Sequence, residues 1–402
     1  MASGYNTTTE LDSSIRAQYV EDYLQAAEPA WLYSQLADDA VFDKPQSELF
    51  RGSSVVLPFL NDLEPVTGTI SQVYDVTPVQ LSDGTVSVTP TSRINAITDS
   101  ELLLMQAYTP YASARFKKLG LNMVESVDLV AQNAALQGGN VYRPAARASL
   151  NSGANEISIA AFDDVMGDFM DSHAPGWETP NGPQHIVIMP PKMWSDLRTS
   201  TVILAIGEYQ NQKILLNNEL GSVGNFRIVV SPWAKTFLGA GADNATNIAT
   251  TVATTAIAPG DLTFTVASGT SIAVGMLLNV GTEETGNTHY PTNEQIKVSS
   301  ISGTTVGAIG QGPNGGFRFA HAVGVAVNNN DSVGTAVFGG PQSLALVYAS
   351  EMGNGRYGTI VGPKKQGYAD TFVSLAWKWY GAMARYAENR LIRGEFSLGR
   401  DS

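Results

Sequence analysis

The 402-residue chain contains no cysteine, which excludes disulfides, thiolate metal sites and cysteine nucleophiles. Charge is also scarce: Asp, Glu, Lys and Arg make up 15% of the residues, against roughly 25% in an average soluble domain. With so little charge to keep copies apart, many uncharged faces are expected to meet other protein. There are four histidines, His173, His185, His289 and His321, and none lies three or four residues from another. The helical zinc pair HExxH is therefore absent, as are the G-x-S-x-G and P-loop patterns. No apolar run approaches the ~18 residues of a membrane span. The opening MASGYNTTTE has neither a basic region nor an apolar one, so no signal peptide is expected. The chain reads as a soluble protein made in a cytoplasm.

Two local patterns invite a chemical reading and fail it. Gly353 to Gly358 spell G-x-G-x-x-G, but a dinucleotide site needs a helix starting within the motif. Here β-branched residues and Pro363 follow, so a turn is expected. Glu283–Glu284 and Asp163–Asp164 are adjacent carboxylates. Neighbours diverge by 100° on a helix and face opposite ways on a strand, which suits no acid/base couple. His185 opens an apolar strand and reads as a structural histidine. These residues predict no enzyme, no cofactor and no metal.

What is present is unevenly distributed. Net charge is −13, which repels nucleic acid unless basic side chains are segregated on one face. Residues 1–50 hold nine acidic residues against Arg16 and Lys44, while 377–402 carry a net +2. An acidic arm and a basic tail are suited to pair between copies, or else both are solvated faces.

Along the chain, Ile15, Tyr19, Tyr23 and Ala27 recur every fourth residue behind a Thr9/Asp12 capping box, and Trp31, Leu32 and Leu36 follow Pro29. Two short arm helices are predicted. Residues 53–98 turn to Val, Ile and Thr, with Asp83–Gly84 as a hairpin signal and Pro58, Pro65, Pro78 and Pro90 demoting the strands to edges. A proline-marked hairpin projecting from a body is expected. Residues 110–137 place Phe116, Leu119, Met123, Val127 and Val130 at steps of three or four, with Gly138–Gly139 as the stop, predicting one spine helix. Helices and strands then alternate from 156 to 235 in α+β fashion. Residues 241–334 are rich in Thr, Gly, Ala and Val with few charges, the pattern of a small all-β module inserted at a surface loop. The stretch VSLAWKWYGAMARYAENRL near the end carries both strand and helix features.

Several segments resemble the coat proteins of tailed phages with the Hong Kong 97-type fold, those of N4-like phages in particular. They are GSSVVLPFLNDL from Gly52, the Val76-Thr77-Pro78 turn, LNMVESVD from Leu121, HIVIMPPKMWSDLR from His185, GSVGNFRIVVSP from Gly221 and AWKWYGAMARYAENRL from Ala376. The likeness covers about three quarters of the chain and omits 241–334. It implies an α+β major capsid protein. Its parts would be an N-terminal arm (1–52), an extended β-hairpin loop (53–100), a peripheral domain with the spine helix (101–155), an axial domain (156–240) and an inserted β-rich domain (241–334). Residues 335–402 would return through the axial domain to a C-terminal peripheral segment.

The implied function is packing: hexamers and pentamers of one chain tile an icosahedral head around the genome, assembled in the bacterial host cytoplasm and ending in the virion. Implied partners are further copies of the chain, a separate scaffolding protein, a portal protein, a decoration protein on the inserted domain, and double-stranded DNA held non-specifically, with no membrane. Candidate inter-subunit contacts are Ile15, Tyr19, Tyr23, Trp31, Leu57, Phe59, Val76, Pro78 and Arg93. Some members of the fold crosslink a loop lysine to a neighbour's asparagine, but residues 53–100 contain Arg93 and no lysine. Shell cohesion would then be non-covalent. The alternatives are a bacterial nanocompartment shell, which shares the fold, and an adhesion or carbohydrate-binding protein built on 241–334.

Overall fold

The computed structural model describes residues 32–38, 54–60, 63, 79–106, 111–150, 153–180, 182–199, 222–238, 251–282, 284, 287–328, 332–348, 358–366 and 371–398. Ile15, Tyr19, Tyr23, Trp31, Val76 and Pro78, with most of the arm, lie outside the described residues. The chain forms two compact units, one of residues 1–131 with 344–386 and one of 132–343 with 387–402. No described helix is long and apolar enough to cross a membrane.

The first unit is a five-stranded sheet with a helix across it. Its backbone is the 14-residue strand Phe372–Arg385, in the segment with mixed features. Strand wins because its odd-numbered residues Leu375, Trp377, Trp379 and Met383 are all buried, the period of two that only a strand can place on one face. One edge of this strand pairs with Thr91–Ser100, from Phe372 opposite Ser100 to Gly381 opposite Thr91. The other edge pairs with Thr359–Gln366 and then Leu344–Tyr348.

The spine helix runs from Tyr111 to Leu136, about 39 Å at 1.5 Å per residue. Phe116, Leu119, Met123, Val124 and Val127 form its buried stripe. Gly138, at φ 108°, takes the left-handed backbone that ends it. Asn122 ties the helix to the sheet: its Oδ1 accepts from Trp377 Nε1 at 3.0 Å and from Asn95 Nδ2 at 2.8 Å. One and a half turns on, Asp128 Oδ1 accepts the backbone N–H groups of Leu32 and Ser34 at 3.1 and 3.0 Å. That anchors the 3-10 turn Tyr33–Leu36. Burial pushes the Asp128 carboxyl up to about 6, against the pull of those N–H groups.

The second unit is built on an eight-stranded sheet in the order Val141–Tyr142, Leu391–Ser397, Ser332–Gly339, Gly182–Met189, Phe226–Val230, Ser222–Val223. Gly182–Met189 and Phe226–Val230 are parallel, with His185 opposite Phe226. The helices Ile159–Asp171 and Pro191–Thr199 contribute Phe162, Val165, Phe169, Met193 and Leu197 to one core with Phe226, Phe338 and Phe396. Ser158 caps the first helix, its hydroxyl accepting from Ala161 N at 3.3 Å. His185 stacks parallel on Phe169 with centroids 4.5 Å apart, and burial lowers its pKa, so the neutral ring serves as a core aromatic.

A separate six-stranded sheet lies between strands of this unit. Its order is Thr251–Val252, Ala326–Asn328, Leu277–Val280, Glu294–Ser302, Thr305–Ile309, Thr263–Thr265. Phe264, Leu278, Val280, Ile296, Val298, Val306 and Phe317 give it a core of its own. Its first strand pairs with its last, Thr251 opposite Val327, so the chain enters and leaves side by side. That is the geometry that lets a module be spliced into a loop.

Candidate assembly surfaces

The hairpin pairs Val55–Leu60 with Asp83–Val88, from Val55 opposite Val88 to Leu60 opposite Asp83. The Asp83–Gly84 turn expected from the sequence is not a turn; both residues are in the strand. The reason lies across the ladder. A Cβ on Gly84 would sit 2.3 Å from the Phe59 ring, so glycine there makes room for an aromatic partner, not for a reversal.

Strand alternation gives the hairpin two unlike faces. Val55, Leu57 and Val88 point inward and form a cluster with Ala345 and Val347, flanked by Val86, Ala382 and Ala384. Phe59 packs edge-to-face on Tyr386 at 6.3 Å, and Tyr386 Oη donates to Pro58 O at 3.3 Å. The expectation of a hairpin projecting from a body is therefore corrected at its base, which is rooted in its own chain. Leu57, at 1% exposure, is used there and is not offered to a neighbour. The opposite face is another matter. Val56 and Leu60 on it are exposed, Leu60 at 69%, and beyond the strands Leu63, Val79 and Leu81 are exposed too.

A second correction concerns Thr91–Ser100. It is no arm of a projecting ribbon but a full member of the first sheet. Arg93 lies in it opposite Trp379, and Ile94, on the other face, is exposed. At the strand's end the short helix Glu101–Gln106 shows Leu102, Leu103 and Met105 to solvent, Met105 at 75%. These three residues escaped the sequence reading, because a six-residue helix has too few turns for an amphipathic period to register.

The polar chemistry is concentrated elsewhere, where the inserted sheet meets the body of the second unit. Glu395, fully buried on the strand Leu391–Ser397, is held by three arginines. Arg143 Nε donates at 2.7 Å, Arg147 Nε and Nη2 at 2.8 and 2.5 Å, and Arg393 Nε lies 3.0 Å away. Burial opposes the charge of Glu395, but the bonds from Arg147 and Arg143 outweigh it and hold the carboxyl below its usual range.

The arginines' remaining donors go to the module's loop. Arg147 Nη1 donates to Thr288 O at 3.1 Å, Arg143 Nη2 to Asn287 Oδ1 at 3.0 Å, and Arg393 Nη2 to Asn287 O at 3.3 Å. The loop returns a counter-charge: Glu284, fully buried, stands 3.8 Å from Arg147 and 3.6 Å from His289. The His289 pKa is lowered, chiefly by burial. A few residues away, Lys235 Nζ donates to Tyr290 O, Pro291 O and Asn293 O at 2.8, 3.3 and 2.5 Å. Burial brings its pKa down to about 7 despite the attraction of Glu284 and Glu294. Glu294 in turn accepts from Arg318 N, Phe319 N and His321 Nε2 at 2.8 to 3.0 Å.

Beside this network is a cleft of about 280 Å³ lined by Lys192, Trp233, Lys235, Arg318 and Phe319 among others. Glu294, on its lining, is held by three fixed donors, and the network as a whole clamps module to body. The sequence reading set Glu283–Glu284 aside and missed the clamp, since Arg143 and Arg147 stand more than a hundred residues from the carboxylates and loop they hold. Among the described residues, no three His, Asp or Glu side chains are grouped to hold a metal ion. Gly358, the last residue of the G-x-G-x-x-G stretch, leads into the strand Thr359–Gln366 with no helix to receive a pyrophosphate.

No protein-family model and no curated protein sequence matches the chain, so nothing supports the N4-like subtype beyond the quoted segments. Solved structures do match. The capsid of Ralstonia phage GP4 aligns over 93% of both chains at 11% identity with a TM-score of 0.52. The acid-stable capsid of the Helicobacter pylori bacteriophage KHP30 aligns over 87% of this chain and 86% of that one, at 7% identity and a TM-score of 0.50. At such identities the likeness speaks to fold, and the chain has the α+β, Hong Kong 97-type fold of these phage capsid structures.

Proposed function

We propose that this chain is the major capsid protein of a tailed phage, a shell subunit that works in many copies and has no catalytic role. The observation that carries the reading is a capsid fold whose hairpin is rooted in its own chain on one face and leaves Val56 and Leu60 exposed on the other, with Leu63, Val79 and Leu81 exposed beyond its strands. A surface of that kind is costly in water and is suited to burial against protein. Hexamers and pentamers of the chain would close an icosahedral head around double-stranded DNA, which the shell would hold through non-specific contacts. The head would form in the host cytoplasm with a separate scaffolding protein and a portal, and end in the virion. The inserted six-stranded module, held at a fixed angle by buried arginines, would face outward and meet a neighbouring capsomer or a decoration protein.

The test is co-expression of the full chain with a scaffolding protein, followed by size-exclusion chromatography and negative-stain imaging. Closed shells of uniform diameter are expected. Small oligomers under every condition would overturn the proposal.

A further inference from the structure

The seam between the inserted module and the body of the second unit gathers more positive charge than negative. Arg143, Arg147, Arg393 and Lys235 of the body and Arg318 of the module stand against Glu395 of the body and Glu284 and Glu294 of the module. Among the described residues that is five cations to three carboxylates. Glu395 is taken by Arg143, Arg147 and Arg393. The bonds of Lys235, only 7% exposed, go to three neutral carbonyls of the module, those of Tyr290, Pro291 and Asn293.

Glu284 is shared more widely still. Besides facing Arg147, it accepts from Tyr290 N and Asn293 Nδ2, both at 3.1 Å, and so holds the loop's own shape. His289, its side chain 3% exposed, stands 3.6 Å from the same carboxylate and 3.4 Å from Asn133 Oδ1, with Lys235 and Arg393 as its cationic neighbours. Glu294 is already engaged by His321 at 2.9 Å. A proton added to this seam therefore meets no carboxylate in reserve, and buried charge without a partner is costly.

We propose that the seam is a proton-operated joint: lowering the pH loads it with positive charge that its three carboxylates do not offset, and the module loop 287–293 lets go of Lys235 and the arginines. The neutral contacts that also tie module to body, such as Lys192 to Gln295 Oε1 and Asn279 Nδ2 to Ser332 Oγ, do not depend on that charge. The module then stays attached while its loop opens.

Two bases act with the same sign. Burial holds Lys235 at about 7 instead of its ordinary 10.5, against the attraction of Glu284 and Glu294. Burial likewise holds His289 below its ordinary 6.5. A base depressed in the closed form binds fewer protons there than in the open form, so opening takes protons up. For Lys235, closure is fully favoured above pH 10.5 and weakens as pH falls toward 7; His289 extends the loss below 6.5. From Lys235 alone, linkage raises the opening constant about fiftyfold between pH 9 and pH 7.

Hydrogen exchange read by mass spectrometry tests this on the full-length chain from pH 9 to pH 6, with rates corrected for the chemical pH dependence of free amides. The amides of Tyr290 and Asn293 are bonded within the loop and report its opening. Their protection should fall about fiftyfold from pH 9 to pH 7 and further below 6.5. The helix Ile159–Asp171 of the same unit should keep its protection throughout. Lys235→Met retains the buried stem without the amine and should flatten the change above pH 7. His289→Gln should leave that change and remove the later one.

Loop protection that is constant from pH 9 to pH 6 would overturn the joint. So would protection that rises as pH falls, which would mean that the three carbonyls keep the ammonium closed. Equal losses in loop and helix would also overturn it, as global unfolding. Where Lys235→Met fails to fold, the wild-type profile with the helix as internal reference decides alone. None of these outcomes depends on whether shells form.

Discussion

The hairpin and the inserted module are both additions to a sheet, and they are secured by opposite physics. The hairpin is held by apolar side chains on one face and shows apolar side chains on the other, with Asp83 among its few charges. The module has a sealed core of its own and meets the body through buried arginines, a lysine and two glutamates. Apolar contact is non-directional, so a hairpin can seat on slightly different neighbours. Hydrogen-bonded charge is directional, and an error leaves a buried ion unpaired. Adaptable contact thus belongs to the part proposed to meet other copies, and rigid contact to the part that must keep one orientation.

The largest expected effect tests the rigid side. Glu395→Ala strands three arginines that share one carboxylate, and removing one partner of a buried ion pair costs about 3–5 kcal/mol. Denaturant unfolding of the unassembled chain should show that loss. Limited proteolysis should release a fragment spanning the module, because the loop holding Glu284 loses its anchor. A midpoint within error of wild type would show that the clamp is ornamental.

The next effect divides the two faces of the hairpin. Leu57→Ala should cost about 2–4 kcal/mol in the isolated chain, as for other buried leucines. Leu60→Ala should change isolated-chain stability by under about 0.5 kcal/mol and act on assembly yield instead. Equal stability losses from the two substitutions would dissolve the distinction between rooted and offered faces.

Asp128 supplies a pH test of the arm's anchor. Its folded pKa of about 6 lies above the ordinary aspartate value of 3.8, so the folded state binds the extra proton. The stabilisation is complete below pH 4, falls as pH rises from about 4 to 6, and is gone above that. On the scale of 1.36 kcal/mol per unit this amounts to about 2–3 kcal/mol. Asp128→Asn keeps an oxygen for the N–H groups of Leu32 and Ser34 and should flatten that stretch of the profile, measured as unfolding free energy against pH. An unchanged slope would assign the titration elsewhere.

The smallest effect is local. Ser158→Ala removes one helix cap and should cost about 1 kcal/mol, with no change in assembly.

Much of the architecture was legible from one-dimensional pattern. The spine helix is readable because Phe116, Leu119, Met123 and Val127 repeat at a helical period over about three turns. The module is readable because composition changes at its borders. The closing strand was ambiguous because alanines stand at its even positions, Ala376, Ala382 and Ala384, and alanine suits helix as readily as a strand's thinly covered face. Asp83–Gly84 misled because the same dipeptide that permits a reversal also makes space beneath a ring.

The chain by itself determined the spine helix, the α+β alternation after it, where a β module is spliced in, and that thiol chemistry is excluded, since these depend on neighbours a few residues apart and on composition. Only tertiary structure decided that Leu57 is consumed while Leu60 is free, and that Arg143, Arg147 and Arg393 converge on Glu395. Burial and charge pairing depend on which distant residues arrive at one place, and separations of about 250 residues, as between Arg147 and Glu395, leave no periodicity to read.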